Sequence, residues 1–121
     1  MAASPVGDIK KIEASAIPKH DILCAGFPCQ SFSIAGKKKG LKDPQGGLFY
    51  QIIRIAKYCQ PKYLLLENVS NLIYHERGST FQQIQKLLNK INYQISWQIF
   101  ITLWYSSKSK TYLYCSYKKR G

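Results

Sequence analysis

The sequence predicts an α/β protein built on a mostly parallel sheet. Three observations carry that reading. Apolar strand-like runs alternate with amphipathic helical segments in the order strand, helix, strand, helix, strand. Two of the runs are short and continuously apolar, as strands covered on both faces are. A long segment rich in chain breakers separates the first run from the first helix.

Asp21-Ile22-Leu23-Cys24-Ala25, closed by Gly26 and Pro28, reads as a buried strand. Residues 27–47 carry Pro28, Gly36, Gly40, Pro44 and Gly46 and the cluster Lys37-Lys38-Lys39, so they read as a loop. Loops of that length in compact domains are usually functional. Leu48, Phe49, Ile52, Ile53, Ile55 and Ala56 recur at helical spacing, which predicts an amphipathic helix over 47–59 that Pro61 stops. Tyr63-Leu64-Leu65-Leu66 reads as the second strand. Ser79 or Thr80 is placed to cap a second helix whose buried stripe is Phe81, Ile84, Leu87, Leu88 and Ile91. Residues 93–100 alternate and are rich in β-formers, which predicts a third strand. In open parallel sheets, ligands bind beyond the carboxyl ends of the strands. Cys29 and Glu67 fall there.

At 121 residues the chain holds one domain at most. Its 45% hydrophobic and 20% charged residues are ordinary for a globular protein. No apolar run approaches the roughly 20 residues of a membrane span. No secretory leader is visible at residues 1–8. The four cysteines form no close pair, which favours reduced thiols in a cytoplasm over a disulfide or zinc framework. Cys24, Cys59 and Cys115 read as small packed hydrophobes, His20 and His75 as surface residues, and Trp97 and the tyrosines as core or sheet residues. The net charge of +12, from 18 cations against 6 acids, suits a polyanionic partner, of which nucleic acid is the commonest. Five of those cations lie in residues 106–121, which hold no acid.

Gly26-Phe27-Pro28-Cys29-Gln30-Ser31-Phe32-Ser33 after the first strand and Glu67-Asn68-Val69 after the second closely resemble the DNA cytosine-C5 methyltransferases. Gly7-Asp8-Ile9 is similar to that family's cofactor-adenine segment. Asp43, Gly46, Leu48 and Phe49 are similar to its D-x-R-G-x-L-F segment, with Gln45 where arginine is usual. The resemblance runs from about residue 7 to residue 100. It implies a partial doubly wound sheet, a fragment of the S-adenosylmethionine-dependent methyltransferase fold, after a leader of residues 1–6.

The resemblance also implies a chemistry. Carbon 5 of cytosine is a poor nucleophile until a thiolate adds at carbon 6, and only cysteine is both a strong nucleophile and a good leaving group. Cys29 takes this role by resemblance and Pro28 fixes the turn that presents it, with Gln30 beside it. Glu67 hydrogen-bonds the ring edge, and Asn68 helps to hold the loop. S-adenosyl-L-methionine is the implied methyl donor, with Asp8, Ile9 and Leu48 at its adenine. The implied partner is double-stranded DNA with a flipped cytosine, because chemistry on a base requires it to leave the stack. Ser31, Ser33, Lys37, Lys38 and Lys39 lie in the stretch that resembles the family's mobile loop, where they can meet DNA. The implied setting is a bacterial cytoplasm and a restriction-modification system.

Several family segments are not found in this sequence: the glycine-rich turn that grips the cofactor's methionine end, the Gln-Arg-x-Arg segment and the recognition domain. Three readings follow. The chain is a fragment inactive on its own, or one chain of a split enzyme completed by a methyltransferase partner, or a non-catalytic basic DNA-binding module. The third is disfavoured because binding alone needs neither Cys29 nor Glu67. As a fragment it is expected to expose apolar surface and an open sheet edge.

Residues 101–121 resemble nothing in the family. Suitable codons for the stretch from Leu103 onward, read one base later, spell Tyr-Gly-Ile-Pro-Gln-x-Arg-Lys-Arg-Ile-Tyr-Ile-Val-Ala. Trp104, which has a single codon, still supplies the glycine. An out-of-frame tail is therefore expected, and with it poor packing after residue 101.

Overall fold

A computed structural model describes residues 5–27, 47–69, 72–101 and 109–118. Two short 3-10 turns, Ile9–Lys11 and Ala14–Ala16, precede β1 (Ile22–Gly26), α1 (Gly47–Cys59), β2 (Tyr63–Val69), α2 (Ser79–Lys90), β3 (Tyr93–Ile101) and β4 (Ser109–Tyr117). The strands form one sheet in the order β1-β2-β4-β3. β1 and β2 are parallel, and β4 runs antiparallel to both of its neighbours, β2 and β3. Three of the four strands therefore point the same way.

β4 corrects the expectation of a poorly packed tail. It lies between β2 and β3, with Leu113 and Thr111 fully buried and Cys115 2% exposed. The reason is its period: Thr111, Leu113 and Cys115 face the helices while Lys110, Tyr112, Tyr114 and Ser116 face away, an alternation that fits a sheet with one covered face.

The core lies between that covered face and the two helices. Phe49, Ile52 and Ala56 of α1 and Phe81, Ile84 and Leu88 of α2 pack with Leu64, Leu66, Tyr93, Leu113 and Cys115. The hydroxyl of Tyr93 donates to the carbonyl of Pro61 at 2.7 Å, so the buried phenol is satisfied. α1 has the expected bounds, and its end is marked by Gln60, whose N–H reaches the Ala56 carbonyl as its own φ turns to +49°. α2 starts differently from the expectation. Gly78, at φ +88°, occupies the N-cap with no side-chain cap bond, and Thr80 lies 2.6 Å from Nδ1 of a half-buried His75.

The opposite sheet face is uncovered among the described residues. Ile22, Tyr63, Tyr114 and Phe100 stand exposed on it. Cys24 shares that face and is exposed, which corrects its reading as a packed hydrophobe: β1 is an edge strand with one bare side. Trp97 lies on the covered face at the rim, edge-on to Phe81 with ring centroids 5.7 Å apart.

Burial pushes the Cys115 thiol up to about 12 from an ordinary 9.0. The folded state therefore holds a proton that the unfolded chain releases. Its contribution to stability is full below pH 9 and is lost as pH rises toward 12. An aromatic disulfide reagent at pH 8 is accordingly expected to label Cys24 in the folded chain and Cys115 only on unfolding, and urea midpoints are expected to fall above pH 9.

Candidate functional site

The carboxyl ends of β1 and β2 lie side by side, with Gly26 opposite Glu67. The carboxylate lies against the end of β1: a methyl group at Gly26 would sit in ordinary contact, 3.6 Å from Glu67 Oε2. Glu67 is inside β2 rather than beyond it, because β4 extends the pairing through Asn68 to Val69. Strand alternation then sends Glu67 to the open face and Asn68 into the interior.

Asn68 is 3% exposed and donates from Nδ2 to the carbonyl of Phe27 at 2.7 Å. The N–H of Phe27 reaches the Glu67 carbonyl at 3.3 Å. Phe27 is thus held through both its backbone groups, and its ring packs on Phe49 with centroids 4.9 Å apart. These contacts fix where the chain leaves β1, two residues before Cys29. Cys29 itself, with Pro28, Gln30, Ser31, Ser33, Lys37, Lys38 and Lys39, lies outside the described residues.

Lys110 completes the described part of the site, and sequence reasoning missed it. Its Nζ lies 2.9 Å from Glu67 Oε1, one diagonal step across the β2–β4 ladder on the open face. The hydrogen bond and charge of Glu67 hold the ammonium above the ordinary lysine range. The signal is the two-residue alternation of residues 110–116, which the tail's departure from the family's segment masks.

The cofactor candidates are assembled only loosely. Arg54 of α1 donates from Nη2 to the Ile9 carbonyl at 3.0 Å, and Lys10 approaches Gly47, so the first 3-10 turn sits beside the start of α1 and of Leu48. Asp8 is exposed, and its Oδ1 accepts from the Lys10 N–H. Ile9 turns into an apolar hollow of about 400 Å³ with Ile12, Ile17, Leu23 and Ile55, which Leu48 does not line. An exposed carboxylate and half-buried apolar flanks fit the adenine end of a nucleoside. Among the described residues nothing at these positions offers a partner for the charged methionine end.

A sheet whose parallel strands end in a carboxylate, beside a chain exit fixed by a buried amide, defines a class: an open α/β protein with its chemistry at the strand ends. Comparison carries this to a family. The sequence model for C-5 cytosine-specific DNA methylases matches residues 2–105, and the chain belongs to that family. It is 50% identical over 95 residues to the Type II methyltransferase M.DsaV of Dactylococcopsis salina, covering 78% of this chain and 27% of that one. It is 40% identical over 114 residues to M.HhaI of Haemophilus parahaemolyticus, covering 92% of this chain and 35% of that one. The chain thus spans about a third or less of the length of these relatives. The fold matches that of the S. pombe Dnmt2 methyltransferase, with a TM-score of 0.61 at 19% identity over 93% of this chain and 34% of the other. Among the described residues no helix is long and apolar enough to cross a membrane.

Proposed function

We propose that this chain carries the central chemistry of a DNA cytosine-C5 methyltransferase, with Cys29 as nucleophile and Glu67 as the group that meets the cytosine ring. The observation that carries the reading is the paired strand end. Phe27, held by Asn68 and by the Glu67 carbonyl, fixes the end of β1 beside the Glu67 carboxylate, and Cys29 follows it by two residues in the sequence.

In this reading the Cys29 thiolate adds to carbon 6 of a cytosine turned out of duplex DNA. Glu67 hydrogen-bonds N3 and the exocyclic amine as charge moves onto the ring. Once carbon 5 carries the methyl group, loss of its proton to water expels the thiolate and restores the aromatic ring. S-adenosyl-L-methionine supplies the methyl group, with Asp8, Ile9 and Leu48 proposed at its adenine end. Pro28 and Gln30 set the turn, and Ser31, Ser33, Lys37, Lys38 and Lys39 are proposed DNA contacts. The proposed setting is a bacterial cytoplasm and a restriction-modification system, as the Type II names of the relatives support.

Because the chain spans about a third or less of these relatives' length, methyl transfer is proposed for it together with the rest of such a domain, whether in the same polypeptide or in a partner. An out-of-frame origin for the tail beyond about residue 101 is part of this proposal, although similarity to M.HhaI, over 92% of the chain, reaches into it; in that case a new reading frame has supplied a strand. The test is methyl transfer to duplex DNA by this chain mixed with a second chain carrying the rest of the domain. Transfer is expected with the wild-type chain and none with Cys29→Ser. Full transfer by Cys29→Ser would refute the assignment.

A further inference from the structure

The segment between β2 and α2 carries an unusual backbone. Glu76 and Arg77 adopt φ +51° and +57°, and Gly78 follows at +88°. Left-handed conformations are costly for a non-glycine residue, and they persist where the surroundings over-determine them. Here they do. Leu72 is fully buried, the His75 N–H reaches the Leu72 carbonyl at 3.3 Å, and His75 Nδ1 lies 2.6 Å from Thr80 Oγ1. The N–H of Ser79 closes the turn on the Glu76 carbonyl.

Topology puts this turn at the carboxyl edge of the sheet. β2 ends at Val69 on that edge, and α2 runs back from it toward the start of β3. Arg77 is exposed there, on the same edge as Glu67. Glu76 is already engaged by a neighbouring group. A flipped base brings its own phosphodiesters to the rim of the site, and a guanidinium on a fixed turn meets a phosphate with less ordering cost than a mobile side chain.

We infer that the left-handed turn at residues 76–78 presents Arg77 to a phosphate of duplex DNA beside the flipped base. This rests on the reading of the chain as a DNA methyltransferase and adds to it a fixed backbone contact. The two non-bridging oxygens of a phosphodiester and the planar guanidinium suit a paired hydrogen bond, which carries no base preference.

The experiment is a fluorescence-anisotropy titration of the full chain with a labelled random-sequence duplex at several salt concentrations. Arg77→Asn removes the charge with a side chain that tolerates left-handed backbone, and Arg77→Lys keeps the charge. The wild type is expected to bind with a salt-dependent affinity. Arg77→Asn is expected to weaken binding several-fold and to reduce the slope of log affinity against log salt by about 1, equally across sequences. Arg77→Lys is expected to keep the slope. Unchanged affinity and slope in a folded Arg77→Asn overturn the contact while the DNA reading stands. A wild-type chain that binds no duplex overturns the contact, while the methyltransferase reading is decided separately by the transfer assay with the second chain.

Discussion

Leu113→Ala is expected to lower the free energy of unfolding by about 2–5 kcal/mol. Leu113 is fully buried at the centre of the sheet, opposite Leu66 of β2 and Trp97 of β3. Truncation removes apolar contacts on three sides and leaves a void that two ladders prevent from collapsing. Against a typical total of about 5–15 kcal/mol, that is a large share of the stability of a domain this size. The neighbouring Tyr114→Ala is the control. Tyr114 stands on the open face, 41% exposed, and its loss is expected to cost far less. Urea unfolding followed by circular dichroism reads both. Equal midpoints for wild type and Leu113→Ala would mean that residues 109–117 are not in the sheet.

Glu67→Gln is expected to slow methyl transfer by the completed enzyme by about 10²–10⁴-fold, the range for losing a positioned acid–base group. The amide is nearly isosteric, so the Phe27 and Asn68 contacts that shape the strand end survive. A second readout separates chemistry from structure. Glu67 is what raises the Lys110 ammonium, so in Glu67→Gln the Lys110 titration seen by NMR should fall back toward the ordinary lysine range. A shifted Lys110 with an undiminished transfer rate would remove Glu67 from the mechanism and leave the ion pair as structure.

Periodicity located α1 to the residue, because its apolar stripe and the breakers at both ends agree. It placed β1 within one residue. It cut β2 short at Leu66, since Glu67 and Asn68 are polar and nothing local shows that Asn68 turns inward to bond Phe27. That information lies in a neighbouring strand. The same holds for Cys24, whose exposure follows from β1 being at the edge. β4 was the largest miss. The alternation of Thr111, Leu113 and Cys115 is legible in the sequence even though the segment departs from the family's, and a two-residue period suffices to make a strand whatever its origin. At the candidate site, Glu67 and Asn68 were legible from the family pattern, whereas Lys110 was legible only through the β2–β4 register.

The strand order β1-β2-β4-β3 also sets a timetable. Among the described residues β3 is bonded to no strand but β4, and β4 follows every other described element in the chain. On the ribosome, β3 therefore emerges with no place to go. β2, meanwhile, waits with a vacant edge until the chain has run well past it, since Tyr63 must find Ser116 and Leu64 must find Cys115. Closing such distant pairs is slow, and a vacant edge is sticky in the interval. A pause in translation before residue 109 thus leaves a nascent chain with two unpaired strand edges at β2 and β3, a natural client for a holding chaperone.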